Sequence, residues 1–215
     1  MIEIHLLLAS GRLRSCADDL CHSTRLACER VEAQLQLADL DIVLRDDMSR
    51  FIPEWGIGGF TPDAHTLQIN IDAARVDYTM LHDRLPYTLA HELHHAARWR
   101  GPGYGLTLFE AIVTEGLADH FACELLDQLP PPWTMALGEN EVAAVKTTAE
   151  ADLDAATHDH RAWFFGTQPN RIPRWAGYSL GWQVVQRQVE WDRSRSAAQL
   201  VAEPATAFRD VWHEM

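Results

Sequence analysis

Strand-like alternation of apolar residues is confined to the first third of the chain. After Asp72 the apolar patterns repeat with a helical period. Residues 2–9 and 41–45 read as strands, with a helical pattern over 12–38 between them carried by Leu20, Leu26, Val31, Leu35 and Ala38. Residues 57–71 read as a hairpin turning at Pro62-Asp63, and Gly58-Gly59 marks an edge where another backbone approaches closely. Asp72 is suited to cap a helix over 73–82, and Pro86 to open the next. That helix ends before Gly101-Pro102-Gly103. A further one covers 106–129 and stops at three prolines. An acidic helix covers 139–156, an irregular stretch 157–174, a helix 175–192, and a short helical tail follows Pro204. Strands first and helices after predict an α+β fold: a small N-terminal mixed sheet packed on helices, with a mainly helical C-terminal part. A single domain over 1–215 is expected, with a helix-plus-sheet portion (1–72), a pair of central helices (73–129) and a helical remainder (130–215).

Composition narrows the function classes. The chain has 215 residues, enough for a full core without staples, and 47% of them are hydrophobic. Eighteen basic against 31 acidic residues give a net charge of −13, which argues against nucleic acid as the main ligand. No apolar run is long enough to span a membrane. The first residues, Met1-Ile2-Glu3-Ile4, read as an opening strand rather than a secretory leader. Cys16, Cys21, Cys28 and Cys123 form no C-x-x-C pair and are expected as buried thiols, so a cytoplasmic location is expected.

The chemistry is carried by His91-Glu92-Leu93-His94-His95, an H-E-x-x-H motif with helix-compatible flanks. At about 100° per residue, His91 and His95 share one helix face one turn apart. Both imidazoles can reach a single Zn²⁺. Glu92 points elsewhere and can hold and deprotonate a metal-bound water. A third ligand comes from Thr114-Glu115-Gly116-Leu117-Ala118-Asp119-His120 downstream. Glu115 follows His95 by 20 residues, and an antiparallel helix would return it to the histidines. Glu110 and His120 are its rivals on the same helix. Asp119, one turn beyond Glu115, can accept a hydrogen bond from a ligand imidazole. Gly116 permits a close helix contact. The H-x-x-G-x-x-H continuation of another zinc peptidase class is absent, because Arg98 stands where it requires Gly and Gly101 where it requires His.

The H-E-x-x-H motif with Glu115-x-x-x-Asp119 resembles the gluzincin pattern of thermolysin-like peptidases. The block from Glu110 to Asp119, with Gly177-Tyr178-Ser179-Leu180-Gly181, looks like a bacterial domain-of-unknown-function family described as predicted zinc-dependent proteases. The likeness covers about residues 60–190. It implies a zincin-like fold and peptidase chemistry. It also raises Tyr178 as a catalytic residue that stabilises the oxyanion, although Trp175, Tyr178, Trp182, Val185 and Val189 by themselves read as a core stripe.

The expectation is therefore a zinc metallopeptidase acting on a peptide or protein substrate. His91, His95 and Glu115 are its metal ligands, Glu92 its general base, Asp119 an orienting acid and Tyr178 an oxyanion donor. The alternatives are an inactive metal-binding or regulatory module on the same fold, and a structural domain without metal. His94 reads as structural, and Arg98 as an ion-pair partner on the ligand face. His158 and His160 sit in a loop that could reach the site. Arg161, Arg171 and Arg174 read as charge balance within the fold.

Overall fold

The computed structural model describes residues 1–47, 49 and 51–215. They group into two compact units, Met1–Arg100 and Gly101–Met215. Together they form the expected α+β protein, with a small mixed sheet and otherwise helices. Among the described residues no helix is long and apolar enough to cross a membrane.

The first unit holds β1 (Ile2–Leu6), α1 (Ala17–Glu32), β2 (Leu40–Asp46), β3 (Ile57–Asp63), β4 (Thr66–Ile71) and α2 (Leu85–Arg98). The sheet order is β1-β2-β4-β3. β1 pairs with β2 in parallel, Ile4 opposite Ile42, and β2 pairs with β4 in parallel, Leu44 opposite Ile69. β3 closes one edge antiparallel to β4, Gly59 opposite Ile69. Its register breaks between Phe60 and Asp63, so the hairpin turns at Ala64-His65, two residues later than the sequence indicated. Pro62 has no N–H to donate, and an edge strand with an irregular register tolerates it.

α1 buries Leu20, Thr24, Ala27, Cys28 and Val31. Leu26 is 43% exposed, because six residues after Leu20 the helix has turned it away from that face. Cys28 and Cys123 are buried, whereas Cys16 and Cys21 are only half-buried, so the expectation of buried thiols holds for two of the four. Burial pushes the Cys28 thiol up to about 12, which keeps it protonated and inert.

The expected helix over 73–82 forms only in its last part, from residue 78 onward. Asp72 instead caps a short 3-10 turn, Ala73–Arg75, by accepting the Ala74 N–H at 3.0 Å. The chain then enters α2 through a wider π-type stretch, Met80–Arg84, in which the Leu85 N–H bonds back to the Met80 carbonyl. Pro86 supplies the reason: its ring crowds the carbonyl of the preceding turn and it offers no N–H, so that turn widens. α2 packs against α1, β3 and β4, and every residue from Leu85 to Arg98 is buried.

The second unit holds α3 (Leu108–Leu126), α4 (Glu139–Glu150), α5 (His160–Phe165), α6 (Ala176–Trp191) and α7 (Arg209–His213). Thr107 and Glu110 form a reciprocal capping box at the start of α3. α3 ends at Leu126, before the prolines, because Asp127 takes a left-handed conformation (φ 51°). From Leu108 to Cys123 all its residues but Glu110 are buried, as expected of a helix at the centre of a core. The stretch expected to be irregular contains α5, capped by Asp159, which accepts the Ala162 N–H at 3.0 Å.

α6 crosses α3 at glycine-to-backbone range. A Cβ on Gly116 would lie 2.2 Å from the Gly181 carbonyl oxygen, and one on Gly181 would lie 2.3 Å from that of Ile112. Gly177, Gly181, Val184 and Gln188 lie on the buried face of α6, Gly181 against α3 and Gly177 against the Phe164 ring, where a Cβ would lie 2.5 Å from Phe164 Cε1. Tyr178 and Val185 are buried as expected, whereas Trp175, Trp182 and Val189 are only half-buried. Arg171 pairs with Asp152 at 3.3 Å, a local charge balance, and Arg174 lies over the Trp175 ring at 4.0 Å.

Candidate metal centre

α2 carries the H-E-x-x-H motif on an uninterrupted, fully buried helix, and the Nε2 atoms of His91 and His95 lie 3.0 Å apart. Two imidazoles bound to one tetrahedral ion at the usual zinc–nitrogen distance would have nitrogens about 3.3 Å apart. The pair therefore has nearly the spacing of co-ligands. The rings stand edge to face, with centroids 4.6 Å apart. Glu115 completes the group. It is buried like the histidines, and one potential ligand atom from each of the three lies within 4.8 Å of the others. Two neutral nitrogens and one carboxylate oxygen are a donor set that suits zinc.

Glu92 is held by β3. The Thr61 hydroxyl donates to Glu92 Oε2 at 2.7 Å, with the Glu92 main-chain carbonyl 3.1 Å away as a second acceptor. Thr61 is itself fixed from α2, because the Trp99 indole donates to its carbonyl at 3.0 Å. Gly59 lies beneath the same carboxylate. A Cβ there would be 2.3 Å from Glu92 Cγ and 2.4 Å from Oε1. The edge-strand glycine is thus required by a close approach, but of a side chain rather than the backbone expected from the sequence. Gly59 and Thr61 are two apart and face the same way, as alternation dictates.

In the second unit the Tyr104 hydroxyl donates to Glu115 Oε1 at 2.6 Å. Asp119 is fully buried, and its two oxygens share the Trp133 indole N–H at 3.3 and 3.2 Å. Trp133 is anchored in turn by Ser179, whose hydroxyl donates to its carbonyl at 3.1 Å. Neither rival for the third ligand belongs to the group. Glu110 Oε2 accepts the Leu106 and Thr107 N–H groups at 2.8 Å as the helix cap. The His120 Nε2–H donates to the Trp182 carbonyl at 3.0 Å, and its ring stacks on that indole at 3.7 Å.

Tyr178 is buried among rings, 5.0 Å from Phe164 and 6.2 Å from Trp133. His160 stacks on Phe164 at 4.4 Å and meets the Tyr104 ring edge-on at 5.9 Å, while His158 lies 6.0 Å from His160. His94 and Arg98 are buried on α2. Thr61, Tyr104 and Trp133 escaped the sequence reading. The only signals were the alternation with Gly59 and the enclosure of Tyr104 by Gly103 and Gly105.

Burial pushes the His120 imidazole down to about 4, against bonding to the Trp182 carbonyl and the nearby Asp119 and Glu190, which act the other way. The folded protein keeps it neutral while the unfolded chain takes up a proton near the ordinary value of 6.5. Its effect on stability is absent above that pH. As pH falls from 6.5 to 4 the unfolded state binds the extra proton, and about 3 kcal/mol of stability is lost. His120→Gln should flatten this part of the urea-unfolding free energy against pH. Parallel curves for the variant and wild type would contradict the assignment.

No curated protein and no solved structure matches the chain. Residues 20–210 match a family described as "Predicted Zn-dependent protease (DUF2268)". That match spans both the H-E-x-x-H helix and the downstream Glu115 block, so the chain belongs to this domain-of-unknown-function family of predicted zinc-dependent proteases.

Proposed function

We propose that the protein is a zinc-dependent peptidase of gluzincin type on a zincin-like fold, with peptides or proteins as substrates. The observation that carries this reading is the buried grouping of His91, His95 and Glu115 beside a Glu92 carboxylate held by Thr61. His91, His95 and Glu115 would hold the ion. When bound, zinc supplies a Lewis acid that polarises a carbonyl and makes water more acidic.

Glu92 receives a proton from the attacking water and returns it to the departing amine. The carboxylate must stay in one place to do both. The Thr61 hydroxyl and the bare backbone at Gly59 meet that need by fixing it without filling the space above it. Asp119 orients a ligand imidazole, and Trp133 holds Asp119. Tyr178 serves as the oxyanion donor, a role supported by the Gly177–Gly181 block alone. β3 is a sheet edge, and its outer side offers main-chain groups along which an extended peptide can lie.

The test is a quenched-fluorescence peptide library offered to the zinc-loaded protein. Cleavage that a chelator abolishes and added zinc restores is expected. A zinc-loaded protein that cleaves no peptide or unfolded protein would contradict the reading.

A further inference from the structure

The loop that enters α3 is shaped around one side chain. Gly103 (φ 74°) and Gly105 (φ 91°) both adopt the left-handed conformation, and Tyr104 stands between them. A Cβ on Gly105 would lie 2.3 Å from Glu110 Cβ, so the loop runs tight against the first turn of α3. Three contacts bind it there. The Leu106 and Thr107 N–H groups reach Glu110 Oε2, and the Thr114 hydroxyl donates to the Tyr104 carbonyl at 3.1 Å. Thr114 immediately precedes Glu115, so the anchor of the loop and the acid it serves are neighbours on one helix. From this platform the Tyr104 phenol meets Glu115 Oε1 at 2.6 Å, the short range of a hydroxyl bonded to a carboxylate.

We infer that Tyr104 is a positioning residue for the metal centre: its hydroxyl fixes the rotation of the Glu115 carboxylate and so presets that ligand for the ion. The inference rests on the metal-centre reading and deepens it. A carboxylate on a free side chain swings about two terminal torsions, and binding must stop that motion. A phenol that bonds one oxygen has already done so. Because the phenol is a neutral donor, it orients Glu115 without placing a competing cation beside the site. Its ring also meets His160, which limits the motion of the tyrosine itself.

Tyr104→Phe removes the hydroxyl and keeps the ring. Zinc affinity of the full chain, measured by competition with a chromophoric chelator, should fall about 10- to 100-fold. The melting temperature of the metal-free protein should stay within about 4 °C. The visible spectrum of the cobalt-substituted protein should change as well, since the geometry of a ligand has changed. Equal zinc affinity with an unchanged cobalt spectrum would overturn the inference while leaving the metal centre standing. A large fall in the melting temperature of the metal-free variant would also overturn it, by assigning Tyr104 to the fold. A wild-type protein that binds no zinc would overturn the metal-centre reading itself.

Discussion

Glu92→Gln should lower peptide hydrolysis by the zinc-loaded protein about 10²- to 10⁴-fold while zinc content stays the same. Glutamine has the same shape, so the close fit over Gly59 survives and Thr61 can still donate to the side-chain oxygen. It cannot accept a proton from water at neutral pH. Geometry is therefore kept and only basicity is removed. Glu92 also lies outside the His91–His95–Glu115 group, so the ion should not be lost with it. The check is kcat/KM on the best library peptide, with zinc stoichiometry from the same preparation. Full activity with zinc retained would remove Glu92 from the base role.

Gly116→Ala should destabilise the protein by about 3 kcal/mol or more, against a gain of about 1 kcal/mol from the better helix propensity of alanine. The steric effect wins because the added methyl meets the Gly181 carbonyl oxygen at 2.2 Å and its carbon at 2.4 Å. Those atoms are backbone on a second helix and cannot rotate away as a side chain could. Relief requires α3 and α6 to separate along a crossing that is buried on both helices. For a chain of this size the melting temperature should fall by about 6–12 °C. A variant that melts with the wild type would show that the α3–α6 crossing is looser than described.

The α+β division was legible because the change from alternation to helical period lies near one residue, Asp72. The histidine pair and Glu92 were legible because an i, i+4 spacing on a helix needs no tertiary information. Glu115 could be picked out by its distance along the chain, and the capping role of Glu110 and the stacking of His120 leave it as the acid grouped with the histidines. What stayed hidden depends on contacts far apart in sequence. Thr61 reaches Glu92 across 31 residues through a break in strand register that no local pattern marks. Tyr104 acquires its role from a loop folded back on α3. The end of the helix expected over 73–82 is widened into a π-type turn because a proline's effect reaches the preceding turn. The buried face of α6 shifted toward its glycines because close approach, by the α3 backbone at Gly181 and by the Phe164 ring at Gly177, decides that packing.

The central claim is that His91, His95 and Glu115 hold one ion. Metal content by plasma mass spectrometry, on untagged protein purified without chelators and reloaded with zinc, tests it most directly when Glu115→Ala is measured alongside. About one zinc per wild-type chain, lost or bound far more weakly by the variant, is the predicted result. A wild-type protein that takes up no zinc after reloading, or a variant that holds it as tightly as the wild type, would contradict the account.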